Sequence, residues 1–439
     1  MQHSSRKWDN CMLRSARMSN QPQLRRVIGP FSLTALAVNG VIGAGIFVMP
    51  ATVGALLGRA SPIAYLVAGA AGILIALSFA EAGSYYDRAG GPYIYAREAF
   101  GDFIGFEVGW MFLFARVAGA AAVVNAFAAY AAFFQPALGK PISRALVIGV
   151  ATVAIGALNY VGVQFGATVV NILTVGKLLP LFVFIGAGLL VINWRDLLSP
   201  APLAFLPLRE ASLVLLFALG GFEFASVPSE EVTDSRRYLP FALIAGMTFG
   251  TLVYILVQVV CTGTLPSLAH DSAPVANAAA QFLGHAGATL MAVGAIVSTT
   301  GTNSTILLVG PRMLYALAQG GQLPAIFGRV HPRFRTPSVA VILFTGAVVV
   351  LAVSGTFASL AALNAIARLL YSVTTCAAVP VLRRRFPPGQ RGFTLPSGWL
   401  LPALGILASL FLLSGIKTSQ GLIGAAGLLS GAIVHAARR

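Results

Sequence analysis

The sequence predicts an all-α integral membrane protein with twelve transmembrane helices, the first and sixth of them broken, and three observations lead there. The chain has 439 residues, 57% of them hydrophobic and only 10% charged, with a mean hydropathy of +0.84; soluble domains carry about 25% charged residues. Apolar segments recur from end to end at the length of about 20 residues that a helix needs to cross a hydrocarbon core. They do not show the strict polar and apolar alternation, over about ten positions, of a barrel strand. Finally, the basic residues alternate between sparse and dense loops in step with those segments.

Counted between loop signals, the apolar segments run over 30–57, 63–85, 98–134, 143–160, 164–192, 211–229, 239–264, 286–318, 338–354, 357–380, 399–415 and 419–436. The third is long enough to require tilt or projection beyond the bilayer. The stretch Pro274 to Gly284 is too short to cross and reads as an external helix lying over the molecule. An even number of crossings places both termini on one side. Residues 1–29 are polar and basic without an apolar run, which reads as a cytoplasmic tail and not as a cleavable signal. With that end inside, the inner loops hold most of the 29 lysines and arginines, among them Arg25, Arg26, Arg236, Arg237, Arg333, Arg335 and Arg383 to Arg385. The outer loops hold Arg59, Lys140, Arg144, Arg195, Arg209 and Lys417. That asymmetry follows the positive-inside rule and assigns the net charge of +16 to membrane orientation, with no nucleic-acid partner required.

The first segment contains "NGVIGAGIFVMP", Asn39 to Pro50, with Gly40, Gly43 and Gly45 close together. Each glycine costs a helix interior about 1 kcal/mol relative to alanine. The sixth contains "FALGGFEFASVPSEE", Phe217 to Glu231, with Gly220 and Gly221 just ahead of Glu223. If segments 1–5 and 6–10 are two repeats, the interruptions stand at equivalent places, which points to a transporter's binding site near the midplane. An unwound stretch offers N–H groups at the start of one half-helix and carbonyls at the end of the other, so it attracts an anion and a cation together. A small zwitterion supplies both. Its carboxylate suits the amides of Ala44, Gly45 and Ile46, around Ile42 and Gly43, and its ammonium suits the carbonyls of Val41, Phe217, Ala218 and Gly220. The alternative is that these glycines serve only close helix packing.

These residues resemble the amino acid–polyamine–organocation (APC) transporters, whose first helix carries G-x-G-[IV]-[FI], here Gly43-Ala44-Gly45-Ile46-Phe47. "SFAEAGSYYDRAGGPYIYAREAFGDFIGFEVGW" (Ser78 to Trp110), "GGFEFASVPSEEVTDSRRYLPFA" and "GPRMLYALAQGGQLP" (Gly310 to Pro324) are similar to further parts of that family. The resemblance implies a leucine-transporter-like fold of two inverted five-helix repeats, residues 30–192 and 211–380, followed by helices 11 and 12 over 399–436. It implies secondary active transport of an α-amino acid or related amine by alternating access in the inner (cytoplasmic) membrane. It also places Glu223 where family members have an acid implicated in proton-linked gating, and Lys177 where sodium-independent members have a lysine in place of an ion. The expectation is proton-coupled symport without sodium. Exchange, or substrate sensing without flux, is the alternative.

Six ionisable residues fall within the segments: Glu81, Glu107, Arg116, Lys177, Glu223 and Arg368. Each is a functional candidate, because an unpaired charge at membrane depth costs at least about 2.5 kcal/mol. Glu81 and Glu107 lie toward one end and are expected at the interface or paired with loop arginines. Lys177 and Glu223 are the expected proton-coupling groups, with a permanent structural pair as the alternative. Arg116 suits a substrate's side-chain carboxylate, and pairing with Glu223 or Glu107 is the plainer alternative. Arg368 reads as part of a gating network or as bonded to carbonyls. The polar run "STTGTNST", Ser298 to Thr305, is expected to line a cavity. Phe217 reads as an aromatic lid, and Phe217 with Ile306 stand where exchangers of cationic amino acids often carry tryptophan. The histidines all lie outside the segment cores, and neither H-E-x-x-H nor G-x-x-x-x-G-K-[ST] occurs. The three cysteines match no metal or redox spacing. The sequence therefore predicts neither enzyme, metal nor cofactor.

Overall fold

A computed structural model describes residues 29–86, 91–161, 167–198, 202–226, 232–265, 267–387, 392–396 and 398–437. The tail over 1–28 and residues 227–231, which include the end of the sixth segment, lie outside the described residues. The elements are helices joined by short turns: α1 (Pro30–Val41), α2 (Gly45–Leu57), α3 (Ser61–Ser84), α4 (Pro92–Phe100), α5 (Asp102–Phe134), α6 (Pro141–Val161), α7 (Ala167–Val191) and α8 (Trp194–Leu198). They continue with α9 (Phe205–Ala218), α10 (Ser235–Thr264), α11 (Pro274–Gln319), α12 (Ser338–Ser354), α13 (Phe357–Arg385), α14 (Leu400–Leu413) and α15 (Thr418–Ala436). Among the described residues, eight stretches are long and apolar enough to cross a bilayer, and Val175–Val191, Ser338–Ser354 and Leu400–Leu413 are shorter apolar helices. This is a multi-pass membrane protein.

Apolar side chains project outward where a soluble protein would carry charge. Ile142, Val150, Leu190, Val350, Leu422 and Ile433 are each at least 67% exposed, which is what a hydrocarbon solvent permits. Inside, close packing depends on small residues, since lipid offers no hydrophobic force to drive helices together. α3 lies along α10 with Gly69 against Thr251 and Gly72 against Met247, and α11 meets α12 where Gly310 receives the Phe344 ring. α5 is largely buried between α11 and α13.

The helix boundaries differ from the sequence expectation in three informative places. The third segment is not continuous from Glu98. Glu98 belongs to α4, and Gly101, at φ +93, turns the chain before α5 starts at Asp102. That φ is readily adopted only by glycine, and Arg97 closes the joint on Asp102 at 2.7 Å. The sixth helix starts earlier than expected, at Phe205. Pro274 to Gly284 is helical and leads into the long part of α11 through a non-helical kink at Gly284, φ +64.

Glu81 is fully buried at the end of α3 and bonded on all sides, taking the second of its two expectations, a pairing with an arginine. Arg383 of α13 forks onto it, with Nε 2.5 Å from Oε1 and Nη2 2.6 Å from Oε2. The Tyr85 hydroxyl donates to the same carboxylate at 2.5 Å and the Leu395 amide at 2.9 Å. Glu107 is not paired with an arginine: both carboxylate oxygens are buried without a hydrogen-bond partner among the described residues, beside Gly431 of α15. Because loss of one partner leaves the other buried charge uncompensated, Glu81→Ala is expected to destabilise the protein by about 3 kcal/mol. Arg383→Ala is expected to act through the same contacts, so thermal unfolding in detergent should find the double variant less destabilised than the sum of the two.

Candidate functional site

α1 and α2 are two parts of one interrupted helix. The backbone leaves helical geometry at Ile42 (φ −84, ψ 82), the Gly43 amide turns back onto the Val41 carbonyl at 3.0 Å, and α2 begins at Gly45. The second interruption follows α9. The Gly220 amide bonds the Phe217 carbonyl at 3.2 Å, Gly221 takes φ +102, and a short 3₁₀ turn runs over Phe222–Ser226.

The glycines are explained by the way these breaks touch. A Cβ placed on Gly221 would lie 2.6 Å from the Gly40 carbonyl carbon, and one on Gly40 would lie 2.8 Å from the Phe224 ring. Gly45 faces Ala218 in the same manner, 2.6 Å from its methyl. The two unwound backbones are therefore in direct contact, which no larger side chain permits.

Side chains from neighbouring helices take the backbone groups that the breaks free. The Lys177 ammonium, from α7, donates to the Asn39 carbonyl at 3.0 Å and to the Ile42 carbonyl. The Tyr254 hydroxyl, from α10, faces the Val41 carbonyl at 3.2 Å and the Ala218 carbonyl at 3.0 Å, one from each break. These are two of the carbonyls expected from the sequence to hold an ammonium, and here one phenol proton is shared between them. The Gly221 amide donates to Glu223 Oε2 at 3.0 Å.

Glu223 is the centre of a buried cluster. Its Oε1 accepts from Arg116 Nη2 of α5 at 2.7 Å and from the Tyr371 hydroxyl of α13 at 3.0 Å. Arg368 of α13 approaches the same oxygen at 3.1 Å and Oε2 at 3.3 Å. Arg116 thus takes the pairing that was the plainer of its two expectations, and its guanidinium lies between the rings of Phe112 and Phe224, at 4.2 and 4.4 Å. Arg368 lies against the break itself, since any Cβ on Gly220 would run into its guanidinium.

A cavity of about 40 Å³ lies between these elements. Val41, Gly43, Ala44, Gly45, Arg116, Phe217, Ala218, Gly220 and Ile306 line it. Of the other residues singled out in the sequence, Ile42 and Ile46 are buried beside it, while Lys177 and Glu223 belong to the surrounding hydrogen-bond shell. Phe217 sits edge to face with Phe357, ring centroids 5.7 Å apart. Thr302 also lines the cavity, but most of its polar run does not. Thr299, Thr300 and Thr305 return their hydroxyls to carbonyls of their own helix, so they satisfy themselves at membrane depth. Asn364 and Arg368 complete one wall. They stand four residues apart in "LNAIARLLYS", a helical spacing of two polar groups that marks a shared face.

Comparison with known proteins agrees with this architecture. The amino acid permease family pattern matches residues 28–422. A branched-chain amino acid permease of Bacillus subtilis is 28% identical over 411 residues, covering 87% of this chain and 86% of that one. A serine/threonine exchanger of the same organism is 27% identical over 390 residues, 85% and 87% of the two chains. A human cystine/glutamate transporter is 27% identical over 387 residues, 85% and 77%. With two interrupted helices in contact around an internal cavity and a family match over nearly its whole length, the chain belongs to the amino acid permease family, membrane transporters of the APC superfamily.

Proposed function

We propose that the protein is a secondary active transporter that moves an α-amino acid or related amine across the cytoplasmic membrane by alternating access, independently of sodium and coupled to protons. The observation that carries this reading is the Lys177 ammonium bonded to the Asn39 and Ile42 carbonyls at the end of the first half-helix. Carbonyl ends of half-helices are where transporters of this architecture hold a coupling cation. A fixed ammonium occupies that electrostatic role and disfavours a second cation beside it.

In this reading the substrate carboxylate meets the amides at the start of α2, at Ala44, Gly45 and Ile46, where the helix dipole favours an anion. The substrate ammonium competes with the Tyr254 hydroxyl for the Val41 and Ala218 carbonyls, and the Phe217 and Gly220 carbonyls lie beside them. Glu223 and Lys177 are the groups proposed to exchange the coupled proton. The chain is proposed to cross the membrane twelve times with both termini cytoplasmic. It would be organised as inverted repeats over 30–192 and 211–380 with two further helices over 399–436, the leucine-transporter-like arrangement. Obligate exchange is a second reading, favoured by the serine/threonine exchanger among the relatives.

The test is flux in proteoliposomes loaded with no amino acid, under an imposed pH gradient. Uptake of a labelled amino acid is expected to follow the gradient and to be unchanged when N-methylglucamine replaces sodium. Dependence on sodium would overturn the coupling proposed here, and uptake only against internal amino acid would establish exchange. Lys177→Met removes charge-assisted hydrogen bonds worth about 1.5–3 kcal/mol from the first break. Initial uptake by that variant is expected to fall at least about tenfold, with its folding checked by thermal unfolding.

A further inference from the structure

The fixed charges around the cavity do not cancel. Arg116 and Arg368 both line it, are 2% and 5% exposed, and each brings a guanidinium to it. Among the described residues, the carboxylate they share is that of Glu223. That carboxylate already accepts from Arg116, Arg368, the Tyr371 hydroxyl and the Gly221 amide, which fills the roughly four lone-pair directions a carboxylate offers. The arginines are not filled. Each guanidinium carries five N–H donors, and the buried Nε of Arg116 and of Arg368 has no acceptor among the described residues.

The other acids in the spans, Glu81 and Glu107, do not line the cavity. Glu81 is held by Arg383, and Glu107 lies beside Gly431 of α15. The remaining ionisable neighbours add no negative charge: Lys177, Tyr254 and Tyr371 are all engaged as hydrogen-bond donors. The start of α2, where Ala44 and Gly45 line the same cavity, contributes a further partial positive charge. Among the described residues, two guanidinium ions therefore oppose one carboxylate around a small cavity, with donors left over on both.

We propose that the site selects compact amino acids of net charge −1, with a second anionic group in the side chain, and that Arg116 and Arg368 are the specificity-determining residues. This rests on the amino acid reading above and narrows it. The α-carboxylate takes the amides at the start of α2, the ammonium takes the carbonyls at the breaks, and the side-chain anion takes the unused guanidinium N–H groups. A neutral side chain leaves those donors buried and unpaired, so the amide analogue of an acidic substrate is rejected by charge while matching it in size. The planar fork of arginine suits a carboxylate better than the point charge of lysine would.

The test is competition in proteoliposomes containing the full chain, with labelled L-aspartate and L-glutamate as probes and L-asparagine, L-glutamine, L-serine, L-leucine and L-arginine as competitors. At least one acid is expected to be carried, with its own amide competing at least about tenfold more weakly, the ratio set by one charge-assisted hydrogen bond. Arg368→Gln is expected to narrow the acid-to-amide ratio tenfold or more while its thermal unfolding remains cooperative. If that variant does not fold, the ratio in the unaltered protein decides. Carriage of neutral amino acids with acids no better than their amides would overturn this inference and leave the proposed function standing. Carriage of neutral amino acids only when chloride is present, and not gluconate, would also overturn it, since a free anion would then balance the arginines. No carriage of any amino acid would overturn both.

Discussion

A helix interrupted at membrane depth exposes backbone groups that no water can reach, each costing several kcal/mol if left bare. The rest of this molecule is arranged around that constraint. Lys177 reaches from α7 to the carbonyls of Asn39 and Ile42, Tyr254 reaches from α10 to those of Val41 and Ala218, and Glu223 takes the Gly221 amide. The positions of α7 and α10 are thus set by the breaks they serve, and the contact of Gly40 with Gly221 fixes the breaks against one another. A substitution at any of these places disturbs the backbone of the breaks.

The quality of these bonds differs, and the difference matters for binding. Glu223 is held by two guanidinium groups, a phenol and an amide, so its position is strongly specified. The carbonyls of Val41 and Ala218 share a single hydroxyl proton, at 3.2 and 3.0 Å, and that of Val41 also accepts from the Gly43 amide at 3.0 Å. An ammonium brings three donors and a full charge to the same place. The breaks are closed by a partner that a zwitterion can improve upon, which lets the same backbone be satisfied in the presence or absence of a ligand.

Much of this was legible in the sequence, for physical reasons that also mark where the reading stopped. The helices follow from apolar length, and the two interruptions follow from glycines placed where glycine is costly. Arg116, Lys177, Glu223 and Arg368 stood out because a charge in a bilayer is expensive, but their pairing depends on which helices meet, and one sequence does not encode that visibly. Tyr254 was missed for the opposite reason. In "TLVYILVQVV" it is one aromatic in an apolar run, with no pattern to separate a hydroxyl that bridges two breaks from one that merely fills space. The run Ser298 to Thr305 was over-read, since a hydroxyl on a helix can satisfy itself on the preceding turn without a cavity. Glu98 was drawn into the third helix because apolar composition alone does not register the turn that Gly101 makes.

The buried ion cluster also sets a condition on any motion of the site. Glu223 follows the second break, while its partners Arg116, Arg368 and Tyr371 stand on α5 and α13. Moving the interrupted helices relative to α5 and α13 must stretch or exchange these bonds, and a hydrogen bond to a charged group contributes about 1.5–3 kcal/mol. Lys177 and Tyr254 tie the same breaks to α7 and α10, on separate elements. The interrupted helices are accordingly held from two directions by contacts of unequal strength. Release on the Tyr254 side requires only a neutral hydroxyl to let go, whereas release on the Glu223 side requires charges to separate in a medium that screens them poorly. A ligand that supplies an ammonium to the carbonyls and an anion to the guanidinium groups offsets both costs at once.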